Sequence, residues 1–238
     1  MSLARDFLIL ALALVAPVGG FAAAAEDLWA EVDTQVYQLR AELGFDRLSP
    51  PVREALRAVP REQFIPVEAR RHAYENRPIP IGYGQTISQP LIVAAMTELL
   101  AIEPGQRVFE LGTGSAYQAA VLATIGVDVY SVEIIRPLAE RARETLDTLG
   151  FEHINTRVGD GYFGWAEAGP FDAIIVTAAN DHVPPPLLRQ LKRGGRMVIP
   201  VGSRYSTQKL VLITRDADGA VRTREILPVT FVPLTGER

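Results

Sequence analysis

From residue 90 onward, short apolar runs alternate with helical patterns, and this alternation constrains the fold more than any other feature of the chain. "PLIVAAMTELLAI" reads as a helix that starts on a proline. "RVFELG" (107–112) is a short apolar run stopping at glycine, the pattern of a buried strand. "AYQAAVLATIG" is a helix ending at Gly126, "VDVYSVE" (127–133) a second strand, and "RPLAERARETLDTLG" (136–150) a helix stopped by Gly150. "INTRVGD" and "FDAIIVTAA" (171–179) supply two more strands. "PPLLRQLKRGGRMVIPVG" gives a helix, a Gly-Gly turn and a fifth strand. "KLVLITRD" (209–216) and "TREILPVTFVPL" complete the sheet around the turn "DADG" (216–219). Strands separated by helices of this length form βαβ units, so the expected class is α/β with a mostly parallel sheet.

The residues ahead of this pattern divide in two. "MSLARDFLILALALVAPVGGFAAAAEDLW" has a short basic start at Arg5 and an apolar stretch broken by Pro17, Gly19 and Gly20. It then offers A-x-A cleavage choices over residues 22–25. This is the plan of a secretory signal peptide, so the mature protein is expected to be exported, periplasmic or secreted, without a stable membrane anchor. The apolar run before Pro17 is too short to span a bilayer comfortably. Leu28, Val32, Val36, Leu39 and Leu43 then recur at helical spacing before Gly44. Ser49-Pro50 reads as the N-cap and first turn of a second helix, and "VPREQFIP" (59–66) closes it in an extended stretch. Up to about residue 81 this is a helical extension with no chemistry of its own.

Composition narrows the function. The net charge is −4, with no basic footprint for nucleic acid. The chain has no cysteine, which removes disulfides, thiolate zinc sites and cysteine nucleophiles together. His72, His153 and His182 are not at metal-ligand spacing, so no metal is expected.

The chemistry gathers at strand ends. "FELGTGSAYQ" (109–118) lies where the first strand turns into its helix, and Gly112 and Gly114 let the backbone turn tightly against a ligand. Glu133 ends the second strand, 133 − 114 = 19 residues on, where a carboxylate accepts the hydroxyls of a ribose. Tyr117 stands where a dinucleotide fingerprint has its third glycine, and no P-loop is present. The pattern E-x-G-x-G-x-A resembles the first motif of S-adenosylmethionine-dependent methyltransferases, with Ala116 in place of a third glycine and expected to tighten helix packing. Glu110 would accept from that cofactor's ammonium, or order the loop, or both. Asp160-Gly161 in "VGDGYFGW" (158–165) follows the third strand. It is either a plain turn or an acceptor for an adenine amino group with room for the ring. "GYGQTISQP" (82–90) is either a loop with a helix cap at Ser88 or part of a site.

Taken together, "VPREQFIP", "IGYGQTISQPLIVAAMTELL", "VFELGTGSAYQAAVLA", "VYSVEII", "GDGYFGW", "PFDAIIVTAA", "LKRGGRMVIPVG" and "FVPLTG" resemble the protein-L-isoaspartate O-methyltransferases. The match runs in order from about residue 35 to the C-terminus. The resemblance implies a Rossmann-like, seven-stranded methyltransferase sheet with helices on both faces and an N-terminal helical extension. Together with the N-terminal pattern, which is a departure from that family, the expected segments are a signal peptide over 1–25, the helical extension over 26–81 and a methyltransferase domain over 82–238. The implied activity is methyl transfer from S-adenosyl-L-methionine to the α-carboxylate of L-isoaspartyl residues in damaged proteins or peptides. The ester then closes to a succinimide that reopens partly to aspartate. Ser88 would lie at the reacting carboxylate, with Thr86, Ile87 and Thr235 lining the same cleft. Glu110, Gly112, Gly114, Ser115, Glu133, Ile134, Asp160 and Gly161 would hold the cofactor. A carboxylate is already ionised at neutral pH, so this chemistry needs no general base, and Ser88 would orient rather than attack. Two alternatives stay open: an exported binding protein with this fold and no catalysis, and a small-molecule O-methyltransferase.

Overall fold

The computed structural model describes residues 20–203 and 205–236. Most of the expected signal segment therefore lies outside the described residues, and residues 22–25 open the first helix. That helix, α1 (Ala22–Gln38), buries Leu28, Trp29, Val32 and Val36 on one stripe. It breaks at Leu39 into the short α2 (Arg40–Leu43), which ends at Gly44 with φ 85°. α3 (Pro50–Ala58) begins on proline after Ser49. Ser49 does not close its own helix with its side chain. Its N–H and Oγ both donate to Glu98 of α4, which ties the two helices together. Short 3-10 segments follow at Arg61–Phe64 and Val67–His72.

β1 (Ile79–Gly82) and β2 (Gln85–Ile87) form an antiparallel hairpin turned at Tyr83-Gly84, so the glycine-rich stretch is a small ribbon rather than a loop. α4 (Pro90–Leu100) starts directly after it. Its N-cap position is Gln89, and the free N–H of Leu91 is met by the Asn76 side chain at 3.1 Å, so Ser88 has no capping role. The main sheet then builds through β3 (Arg107–Leu111), α5 (Tyr117–Ile125), β4 (Asp128–Glu133), α6 (Arg136–Thr148) and β5 (Asn155–Val158). A third 3-10 turn (Gly161–Phe163), β6 (Phe171–Val176), α7 (Pro185–Gln190), β7 (Leu191–Val201), β8 (Gln208–Arg215) and β9 (Val221–Val229) complete it.

The seven strands lie in the order β5-β4-β3-β6-β7-β8-β9. The first five are parallel, β8 pairs antiparallel to β7 and β9 antiparallel to β8, because short turns return the chain directly. Side chains alternate across the sheet. Val108, Ala173, Ile175 and Val198 face one apolar cluster, which α1, α3, α4, α5 and α6 build. Phe109, Ile174, Val176, Met197 and Ile199 face the other, which α7 covers. The N-terminal extension thus shares the main core. Gly194 and Gly195 sit inside a bulged β7 rather than in a turn. A Cβ on Gly195 would stand 2.8 Å from two carbonyl oxygens.

The chain winds outward from β3 to β5, then returns to place β6 on the other side of β3. The loops leaving β3 and β6 therefore part company, and the crevice between them is where ligands bind in open α/β sheets.

Candidate active site

The β3–α5 loop is shaped by its backbone angles. Gly112 has φ 99°, and a Cβ there would stand 2.5 Å from Thr177 Oγ1. Only glycine fits both conditions. Thr177, just beyond β6, donates its hydroxyl to the Leu111 and Gly112 carbonyls and so stitches the two sides of the crevice together. Ala116 also lies in the left-handed region, at φ 69°, and is fully buried. Its methyl does not tighten the packing for free, because an L-residue there costs about 1–2 kcal/mol over glycine.

Glu133 closes the loop from β4. Its Oε2 accepts from the Gly114 N–H at 2.8 Å and its Oε1 from the Ile135 N–H at 2.9 Å. A carboxylate offers about four lone-pair positions, so two remain for a ligand. These can receive a vicinal diol. Asp160, after β5, accepts from the Tyr162 N–H through Oδ1, while its buried Oδ2 has no partner. Gly161 cannot carry a side chain, because a Cβ would stand 2.5 Å from Leu111.

These elements enclose a cleft of about 750 Å³, counting its open mouth. It is lined on one side by residues 112–115, Glu133, Ile134 and Gly161, and on another by residues 85–88 of the hairpin arm. Residues 232–235 form a further wall. They are held there by Ala179, whose N–H donates to Val232 O and whose carbonyl accepts from Leu234 N–H. The spare acceptors of Glu133 suit the ribose hydroxyls of an adenosyl group, and the orphaned Asp160 Oδ2, set back from the lining beside Gly161, is an acceptor suited to its exocyclic amine.

The family model of protein-L-isoaspartate(D-aspartate) O-methyltransferase matches residues 35–238. The chain belongs to this family. It is 54% identical over 208 residues to protein-L-isoaspartate O-methyltransferase 2 of Polaromonas sp. (strain JS666), covering 87% of this chain and 99% of that one. It is 51% identical over 238 residues to the protein of the same name from Syntrophobacter fumaroxidans, covering 97% of this chain and 96% of that one. Among solved structures it is similar to a Plasmodium falciparum protein described as a protein-L-isoaspartate O-methyltransferase, in complex with S-adenosyl-L-homocysteine. That likeness has a TM-score of 0.69 and 25% identity, and covers 85% of this chain and 97% of that one.

Of the residues that the family resemblance singled out, Thr86, Ile87, Ser88, Gly112, Gly114, Ser115, Glu133, Ile134, Gly161 and Thr235 come together around the one cleft. Two stand apart from its lining. Glu110 is fully buried beneath the loop, where Ser131 Oγ donates to its Oε2 and in turn pairs with Thr113 Oγ1 at 2.6 Å. Its position suits ordering the loop. Burial pushes its pKa up to about 8, against the opposing pull of the Ser131 hydrogen bond, so the neutral acid predominates at neutral pH. Asp160 sits behind Gly161, close under Gly236, where a Cβ would stand 2.4 Å from Oδ2.

Ser88 lies at the end of the hairpin arm, and its hydroxyl makes no hydrogen bond among the described residues. Its carbonyl accepts from Arg61 Nη2 at 2.7 Å. Arg61 belongs to the segment read as chemically silent, and no pattern in "VPREQFIP" separates it from a solvated charge. The hairpin is tied on its other side by Arg141 of α6, which donates to the Ile81 carbonyl.

Proposed function

We propose that this protein transfers the methyl group of S-adenosyl-L-methionine to the α-carboxylate of L-isoaspartyl residues in damaged proteins and peptides, the first step of their repair. The observation that carries the reading is the position of Ser88. Its residue lines both the cleft beside the glycine loop and a second, open groove of about 1530 Å³, counting its open mouth, that adjoins it. Thr86, Thr177 and Val232 also belong to both. The groove is lined further by Pro78, Gln89, Ile92, Tyr205, Gln208 and Phe231, and no charged side chain lines it among the described residues. Uncharged walls bearing hydroxyls and amides suit an extended peptide whose flanking residues vary in charge.

Within this reading, S-adenosylmethionine supplies a sulfonium methyl when bound. Glu133 holds the ribose, residues 112–115 give the ligand close approach to backbone, and Asp160 has an acceptor to offer the adenine amine. The peptide carboxylate arrives ionised, since its pKa is near about 4. The protein's task is orientation, which accounts for roughly 7–11 kcal/mol of barrier lowering in well-aligned reactions. The Ser88 hydroxyl is free to donate to one carboxylate oxygen and leave the other unencumbered. A donor that gripped both oxygens would stabilise the ground state as much as the transition state and gain no rate.

Purified protein with methyl-labelled S-adenosylmethionine should label an isoaspartyl peptide and leave its aspartyl counterpart unlabelled. Ser88→Ala should cut turnover by about ten- to a hundredfold, the scale of one hydrogen bond to a charged group, with S-adenosylhomocysteine affinity held. Cofactor binding with no transfer to the isoaspartyl peptide would sink the reading in favour of a binding protein.

The N-terminal pattern supports export of the mature chain to the periplasm or beyond. The expected result is a mature mass, measured from the native host, that lacks about the first 25 residues, with the protein in the exported fraction. A full-length cytoplasmic protein would refute it.

A further inference from the structure

Arg61 is a fully buried cation that forms no ion pair among the described residues. Its Nε donates to the Ala73 carbonyl at 2.9 Å and its Nη2 to the Ser88 carbonyl, while its Nη1 is buried without a partner. The guanidinium lies over the Tyr117 ring, 5.0 Å from its centroid. Glu62, next in sequence and also buried, accepts from Tyr74 Oη at 2.6 Å and makes no ion pair with Arg61. Burial lowers the Arg61 pKa to about 10, which still leaves it charged at neutral pH.

A buried charge without a counter-ion is costly, and native proteins pair such groups. Two neutral carbonyls and an aromatic face do not neutralise this one. Both of its neighbours on the cleft side, Ser88 and Tyr117, line the cleft. Ser88 also reaches the peptide groove. The low dielectric around Arg61 keeps its field strong across this thin wall, because buried charges are screened far less than exposed ones.

We propose that Arg61 is the positioning residue for the substrate's carboxylate. Its missing counter-charge is the α-carboxylate of the bound isoaspartyl residue, which it attracts from behind Ser88 while holding the Ser88 backbone in place. This assignment rests on the methyl-acceptor reading above. It makes recognition of the damaged residue partly a recognition of charge, and it explains why a groove with uncharged walls can select an acidic group. A merely structural Arg61 would bridge Ala73 to Ser88 and be indifferent to the charge of the ligand.

The test compares wild type with Arg61→Lys and Arg61→Gln. Calorimetry in saturating S-adenosylhomocysteine measures Kd for an isoaspartyl peptide and for the same peptide with its α-carboxylate converted to a carboxamide. Thermal melting and S-adenosylhomocysteine affinity are followed in parallel. Wild type should prefer the acid by about tenfold or more, the scale of one charge-assisted contact. Arg61→Gln should abolish most of that preference with S-adenosylhomocysteine Kd within about twofold, and Arg61→Lys should keep most of it. An unchanged preference in Arg61→Gln, or an equal loss in both variants, would overturn the proposal. Should Arg61→Gln not fold, the wild-type ratio decides, since no preference for acid over amide would equally overturn it. Failure of wild type to methylate a peptide that it binds with this preference would strike the functional reading alone.

Discussion

Glu133→Ala should weaken S-adenosylhomocysteine binding by at least about a hundredfold, measured by calorimetry. The carboxylate does two jobs through the same two oxygens. It accepts the Gly114 and Ile135 N–H groups, which fixes the loop, and it retains lone pairs for a ribose diol. Hydrogen bonds to a charged group contribute about 1.5–3 kcal/mol each, so losing both ligand contacts removes about 3–6 kcal/mol. Alanine also leaves the Gly114 N–H, in a largely buried setting, without its acceptor. Glu133→Gln is the informative companion. It keeps one acceptor oxygen and the shape but loses the charge, so its affinity should fall between the two. Binding by Glu133→Ala within threefold of wild type would remove Glu133 from the ribose role and leave it a loop brace.

Gly112→Ala should damage the fold and the cleft together. At φ 99° an alanine is strained by about 1–3 kcal/mol. Its Cβ would stand 2.5 Å from Thr177 Oγ1, so Thr177 must rotate and give up its bonds to the Leu111 and Gly112 carbonyls. With about 1 kcal/mol for the lost hydrogen bonding, the sum is roughly 2–4 kcal/mol. For a chain of this size that lowers Tm by roughly 5–15 °C. The two contributions separate in a double-mutant cycle. Thr177→Ala removes the clash but not the backbone strain, so the double variant should lose less than the two single changes added together. Strict additivity would show that the hydroxyl clash plays no part.

The sheet was legible because parallel strands buried on both faces are written as continuous apolar runs. "VFEL" and "AIIV" admit few other readings. The glycine turn and Glu133 were legible because their spacing follows from one strand, one helix and the next strand. The hairpin was hidden by its length. Ile79 and Ile81 do alternate inward, but four and three residues around two prolines and two glycines carry too little pattern. Ser88 resembled a helix cap because it stands two residues ahead of the proline that opens a helix, and only the distant Asn76 shows the free N–H to be met already. Arg61 was not legible at all. An arginine beside a glutamate on a one-turn segment looks solvated, and its burial comes from three parts of the chain packing over it. Ser49 illustrates the same limit, because its partner Glu98 lies 49 residues away. Side chains that serve their own element show in local sequence, whereas those that serve a distant one do not.

The wall formed by residues 232–235 has a consequence for how the protein comes to exist. The β3–α5 loop is tied to Glu133 across 19 residues and to Thr177 across 65. Leu234 closes on Ala179 from 55 residues further along (234 − 179 = 55). Long separations and parallel pairing form late and slowly during folding. The cleft depends on all of these long-range closures at once, so it is complete only in the native fold. A ligand that recognises only the finished cleft holds the native state by mass action, adding about 2.7 kcal/mol at a hundred times its Kd. The supply of methyl donor thus adds to the stability of this protein as well as feeding its turnover.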